Sequence, residues 1–142
     1  MEKIQVVIDT NVIISALRSQ YGASYKLLIL LERANFEVNL SAPLLLEYED
    51  VSRRQTEELA LSEKTIDDIL DYFCTVSRQW KIYYLWRPFL KDSKDDMVLE
   101  LAVASNCEAI ITYNKRDFLG IEQFGLRLMN PQEFLLELGE IR

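Results

Sequence analysis

The chain has 142 residues, of which 49% are hydrophobic and 27% charged, and its formal net charge at pH 7 is −7. This length predicts one domain over residues 1–142 with a sizeable core. There is no histidine, which excludes Ser-His-Asp and Cys-His catalysis and any histidine-ligated zinc site. The two cysteines show no metal-binding spacing, so a bound metal would need oxygen ligands, as Mg²⁺ or Mn²⁺ does.

Charge and hydropathy also constrain location and partners. No apolar run approaches the ~18 residues of a membrane span, and the chain enters a strand at once rather than a signal peptide. We therefore expect a cytoplasmic protein with reduced thiols and no membrane partner. The net charge argues against binding nucleic acid by bulk electrostatics, but it permits an acidic cluster that binds a metal ion, which in turn binds phosphate.

The hydrophobic pattern alternates between strands and helices along the chain. Strands are predicted at Ile4–Ile8, 36–40, 81–85, 108–112 and, less distinctly, 126–130. Helices are predicted at 11–19, 23–34, 41–54, 61–79, 93–106 and 131–138, with Ser41, Ser62 and Asn130 as N-caps. This order predicts an α/β fold, a three-layer α/β/α sandwich with a central, mostly parallel sheet of four to five strands.

In such sheets ligands bind beyond the carboxyl ends of the strands, and Asp9 stands directly after the first strand. An Asp at that position is either a helix N-cap or a metal ligand, and the residues leave both interpretations open. Further acids fall near the same predicted edge: Glu47, Asp92, Asp95, Asp96 and Asp117. Each could instead satisfy a helix N-terminus, cap a turn or face solvent. Clustered around a divalent cation, they would form a metal site.

Three segments, taken in order, resemble the PIN-domain family of metal-dependent ribonucleases: "VVIDTNVIISAL", "SAPLLLEYEDV" and "DSKDDMVLELAVASNCEAIITYNKRDF". The resemblance spans essentially the whole chain and is closest to VapC-like toxin components of toxin–antitoxin systems. It implies a single PIN-like domain that uses Mg²⁺ or Mn²⁺ to hydrolyse phosphodiester bonds of single-stranded or structured RNA.

The resemblance implies four catalytic, metal-binding acids: Asp9, Glu47, Asp96 and Asp117. Asp95 is a further candidate ligand. Because successive helical residues differ in direction by about 100°, only one of this adjacent pair can point fully at the metal, and we favour Asp96. Three residues are implied to support the first acid or contact the substrate: Asn11, Thr112 and Asn114. Many family members carry Gly-Asp where this chain has Tyr113 and Asn114, so the fourth acid is either Asp117 or missing.

The implied substrate and partners suggest further residues. Candidate cations for RNA-backbone contact are Lys115, Arg116, Arg53 and Arg54, and candidate aromatic residues for base stacking or a partner surface are Tyr83, Tyr84 and Trp86. The acidic charge and the resemblance together predict a small antitoxin whose basic or aromatic tail enters the cleft. A homodimer is a further candidate assembly, beside the complex with an antitoxin.

Two other functions compete with the ribonuclease interpretation. One is a PIN-like module that binds nucleic acid or a partner without cleaving it. The other is an aspartyl phosphotransfer enzyme, since "DTN" after a buried strand has the placement of an Asp-x-Asp nucleophile motif. Asn11 stands where that motif needs its second acid, and no counterpart of its later lysine is found.

Overall fold

Strands and helices alternate along the chain. The computed structural model describes residues 3–82 and 89–141. The strands of this part are β1 (Ile4–Ile8), β2 (Phe36–Ser41), β3 (Arg78–Trp80), β4 (Ala109–Ile111) and β5 (Arg127–Met129). Its α-helices are α1 (Thr10–Arg18), α2 (Ala23–Ile29), α3 (Ala42–Arg54), α4 (Thr56–Leu59), α5 (Glu63–Val76), α6 (Ser93–Ala104) and α7 (Pro131–Leu138). Within the described ranges, no helix has both the length and the apolar character to cross a bilayer.

The strands form one sheet in the order β3-β2-β1-β4-β5, and every neighbouring pair is parallel. The last three residues of β1, Val6, Val7 and Ile8, are all fully buried. Consecutive strand residues face opposite sides of a sheet, so both faces must be covered by helices. The predicted α/β sandwich is thus confirmed. The strand order reverses between β1 and β4, which is where a binding crevice opens in sheets of this kind.

The second helix is shorter than the predicted span 23–34 and ends at Ile29. Beyond it, Leu30 and Leu31 each donate their backbone N–H three residues back, in turns rather than in a continued helix. This tighter path buries both leucines before β2 begins. The chain therefore leaves the helix at Ile29 while both leucines stay in the core.

The third strand lies at Arg78–Trp80, and residues 83–85 of the predicted strand 81–85 lie outside the described residues. The indole N–H of Trp80 donates to Asn39 Oδ1 at 2.7 Å, and this bond fixes β3 beside β2. The aromatic residues proposed for base stacking lie outside the described residues: Tyr83, Tyr84 and Trp86.

Three helices begin at the residues that the sequence predicts as caps. Ser41 Oγ and Ser62 Oγ each accept a hydrogen bond from the backbone N–H three residues further on. Asn130 and Glu133 form a reciprocal capping box, with distances of 2.8 and 2.9 Å. The cap at Ser41 starts α3 directly after β2, which brings Glu47 near the carboxyl edge of the sheet.

The side chain of Tyr48 connects α3 to the central strand of the sheet. Its side chain is fully buried, and its ring meets that of Phe73 edge to face, with 5.5 Å between the ring centroids. Its hydroxyl donates a hydrogen bond to the carbonyl of Ile8, the last residue of β1. Because Glu47 precedes Tyr48 and Asp9 follows Ile8, this one bond brings two acids toward the same strand end.

Replacing Tyr48 with Phe keeps the ring and removes only this hydroxyl. We expect the free energy of unfolding to fall by about 1–2 kcal/mol, because the buried Ile8 carbonyl loses its donor. Chemical denaturation measures the change. Tyr72→Phe, on a ring that is 43% exposed, is the matched control and should lose less than about 0.5 kcal/mol. Equal losses in the two variants would contradict the anchoring role.

Candidate active site at the carboxyl edge of the sheet

Asp9 directly follows β1, and three donors hold its carboxylate. Oδ1 accepts the Thr10 backbone N–H at 2.9 Å, so Asp9 is the N-cap of α1. Oδ2 accepts the Thr112 hydroxyl at 2.8 Å and the Asn11 side-chain amide at 3.1 Å. The residue is 8% exposed. A carboxylate has about four acceptor positions, and the three hydrogen bonds leave one of them for a further partner.

The turn after β4 joins the same hydrogen-bond network. Asn11 Oδ1 accepts the backbone N–H of Tyr113 at 3.2 Å, and Thr112 Oγ1 accepts that of Asn114 at 3.0 Å. Asn11 Nδ2 also lies 3.3 Å from Thr112 Oγ1. The three residues expected to support the first acid, Asn11, Thr112 and Asn114, are therefore linked around Asp9.

This network borders an open cleft with a volume of about 780 Å³. Carboxylates from four parts of the fold line it: Asp9, Glu47, Asp92, Asp95 and Asp117. Glu47 comes from α3, Asp92 and Asp95 from the start of α6, and Asp117 from the 3₁₀ turn after β4. The cationic side chains of Lys94 and Arg18 also line the cleft. Acids outnumber bases there, so the cleft suits a cationic ligand.

Burial and neighbouring negative charges raise the pKa values of two carboxyl groups in the cleft, Asp95 and Asp9. Burial, followed by the negative charges of Asp9 and Asp117, raises the pKa of Asp95 from 3.8 to about 7. Burial also raises the pKa of Asp9. The Thr112 hydroxyl partly offsets this effect, whereas the charges of Asp117 and Glu47 add to it. Asp95 is consequently about half protonated at neutral pH, and a cation bound nearby would favour its ionised form.

The adjacent residues Asp95 and Asp96 have different surroundings. Asp95 lines the cleft. Asp96 Oδ1 instead accepts the backbone N–H groups of Leu90 at 2.9 Å and Phe89 at 3.2 Å, which ties the segment before α6 to the first turn of that helix. Of this pair, the structure brings Asp95 together with Asp9, and Asp96 braces the neighbouring backbone.

The chemistry of the donor set fits a hard divalent cation, because the clustered ligands are carboxylates that repel one another. In the part of the chain that the structure describes, however, no group of three or more metal-ligating side chains converges closely enough to hold an ion. Glu47, whose side chain is 15% exposed, is instead paired with Lys94, whose Nζ lies 3.6 Å from Glu47 Oε1.

The cations proposed for RNA contact lie mainly outside this cleft. Three form ion pairs with nearby acids: Arg53 with Asp67 at 2.6 Å, Arg54 with Asp50 at 2.9 Å and Lys115 with Glu133 at 2.5 Å. Arg116 lines a smaller neighbouring cavity. Sequence reasoning did not single out Lys94 or Arg18, which line the cleft itself. The sequence feature that could have identified Lys94 as a residue of the cleft is its position among acidic residues in "DSKDD".

Comparison with known proteins identifies the family. A family model described as "PIN domain" matches residues 5–116. The chain therefore belongs to the PIN domain family. No curated protein matches it.

Among solved structures, the chain is similar to the crystal structure of VapBC2 from Rickettsia felis bound to a DNA fragment from their promoter. The match has a TM-score of 0.61 at 15% identity, and it covers 89% of this chain and 98% of the other. At this identity the match establishes a shared fold.

The raised pKa of Asp95 predicts a pH-dependent gain in stability for Asp95→Asn. A carboxyl group whose pKa rises from 3.8 to about 7 on folding destabilises the folded state increasingly between those pH values. In metal-free buffer at pH 8, we expect the variant to be more stable than the wild type by about 1 kcal/mol after allowance for solvent screening. The gain should shrink toward zero near pH 4.

Thermal unfolding across this pH range measures the effect. Asp50→Asn, on an exposed ion pair of α3, is the control and should show no comparable trend. A gain for Asp95→Asn that is the same at every pH would contradict the electrostatic explanation.

Proposed function

We propose that the protein is a metal-dependent endoribonuclease that uses Mg²⁺ or Mn²⁺ to hydrolyse phosphodiester bonds of single-stranded or structured RNA. The observation that carries the proposal is the position of Asp9. It directly follows the central strand, is braced by hydrogen bonds on both oxygens, and borders a cleft in which burial and neighbouring carboxylates raise the pKa values of Asp9 and Asp95. Membership of the PIN domain family supports nuclease activity.

In this proposal four carboxylates hold the ion: Asp9, Glu47, Asp95 and Asp117. Bound Mg²⁺ or Mn²⁺ would neutralise phosphodiester charge and lower the pKa of an attacking water. Thr112 and Asn11 keep the Asp9 carboxylate in one orientation, and a cation held nearby would favour the ionised form of Asp95. Asp96 becomes a positioning residue that acts through the segment before α6.

We further propose that the protein is the toxin of a toxin–antitoxin pair in the cytoplasm. The fold shared with VapBC2 supports this role, and the acidic cleft is complementary to a small antitoxin with a basic tail. If a small open reading frame adjoins the gene, its co-expression with this chain should yield a complex that survives purification. A neighbour that fails to co-purify would contradict the pairing. A homodimer is compatible with this role.

Two observations favour a second candidate, a PIN-like module that binds without cleaving. The described residues contain no converged group of metal ligands, and Asn114 stands next to the cleft where many family members carry an acid. The two candidates differ in whether the protein cleaves RNA when Mn²⁺ is supplied.

Asp9→Asn separates the two candidates. If the protein is a nuclease, we expect Mn²⁺-dependent cleavage of single-stranded RNA to fall by about 100-fold or more, because the best-fixed ligand loses its charge. The melting temperature should change by only a few degrees. Labelled RNA, Mn²⁺ calorimetry and thermal unfolding on the same samples measure these effects.

Asp50→Asn is the control and should cleave as the wild type does. A wild type that binds Mn²⁺ without cleaving any RNA tested would favour the binding module. Unfolding of Asp9→Asn would instead show that Asp9 is chiefly structural.

A further inference from the structure

We propose that Lys94 is a built-in competitor for the divalent cation. Its ammonium group pairs with Glu47 and must leave that carboxylate before a divalent ion can bind there. This inference rests on the metal site of the proposed function and adds a residue that sets the affinity of that site.

The ion pair between Lys94 and Glu47 bridges the two sides of the cleft. Lys94 is the second residue of α6, and Glu47 belongs to α3. Lys94 Nζ lies 3.6 Å from Glu47 Oε1, and the Glu47 side chain is only 15% exposed, whereas that of Lys94 is 56% exposed. The lysine therefore reaches inward from the cleft mouth to a carboxylate that is largely shielded from water.

The backbone of Lys94 is fixed while its side chain has room to move. Its N–H donates to Asp92 Oδ1 at 2.9 Å, which caps α6. The flexible methylene stem and the exposure of the side chain allow the ammonium group to withdraw toward solvent without disturbing that cap. The ammonium group can thus leave Glu47 by a change of the Lys94 rotamer, without movement of the helix.

Charge decides which cation Glu47 prefers. A single ammonium group offsets one of the clustered negative charges, whereas a divalent ion offsets two and can contact several carboxylates at once. The ion can therefore displace Lys94, but its net affinity is reduced by the free energy of the ion pair that it replaces. Metal binding is then a cation exchange at Glu47.

Arg18 supplies a matched comparison in the same cleft. Its guanidinium donates to Gln55 Oε1 at 2.8 Å and lies 3.8 Å from Glu58, so its recorded partners lie away from Glu47. Removing Arg18 subtracts the same unit of positive charge as removing Lys94 but leaves the Glu47 pair intact. Comparing the two substitutions separates direct competition from a general electrostatic effect.

The test is Mn²⁺ calorimetry at pH 7.5 on the wild type, Lys94→Met and Arg18→Met. We expect Lys94→Met to bind Mn²⁺ about fivefold more tightly than the wild type, the change that follows from losing a partly exposed ion pair. Arg18→Met should differ from the wild type by less than about twofold, because exposed charges are screened at physiological salt. Thermal unfolding gives a second readout, since the Mn²⁺-induced rise in melting temperature should be larger in Lys94→Met.

A second pair of proteins tests whether the effect acts through Glu47. In a Glu47→Gln background, the addition of Lys94→Met should leave Mn²⁺ affinity unchanged, because the carboxylate for which the two cations compete is gone. A gain that persists in this background would overturn the proposal in favour of bulk electrostatics. Unchanged or weaker binding by Lys94→Met alone would also overturn it.

The outcomes for the wild type distinguish this inference from the proposed function. If neither the wild type nor Lys94→Met binds Mn²⁺, the proposed metal site fails and the competitor role fails with it. If the wild type binds Mn²⁺ and Lys94→Met binds it no more tightly, the metal site stands and only the role of Lys94 is lost.

Discussion

The structure depends on keeping one ionisable carboxylate at the end of its central strand. Burial alone would drive Asp9 to its neutral form, and hydrogen bonds from Thr10, Asn11 and Thr112 oppose this effect. Two of these donors belong to α1 and the third follows β4. The same bonds that keep the charge tolerable also join β1, α1 and β4 at the point where the strand order reverses.

A second constraint is the repulsion among the acids that surround Asp9. Burial and this repulsion together raise the pKa of Asp95 to about 7, and the ammonium group of Lys94 lies 3.6 Å from the Glu47 carboxylate. The cleft is thus partly neutralised by a proton and a lysine. In the proposed function a divalent cation would replace both, so that stability and cation binding would be coupled through the same few charges.

Local patterns predicted most of the fold, and long-range contacts decided the rest. Buried β-branched runs and capping residues located β1, β4, α3 and α7, because these signals lie within a few residues of one another. The early end of α2 is not marked by a Gly or Pro, and the pairing of β3 with β2 depends on a bond from Trp80 to Asn39, which adjacent residues do not reveal. Choosing Asp95 over Asp96 as the cleft acid likewise required the hydrogen bonds that Asp96 accepts from Phe89 and Leu90, and the pairing of Lys94 with Glu47 required α3 and α6 to be placed together.

A crystal structure of the protein with Mn²⁺, located by anomalous scattering, tests the central claim most directly. We predict an anomalous peak in the cleft, bound by Asp9 and Asp95, with Lys94 moved away from Glu47. A fully occupied peak that avoids Asp9, or an unchanged cleft at a Mn²⁺ concentration that drives RNA cleavage in solution, would contradict the account.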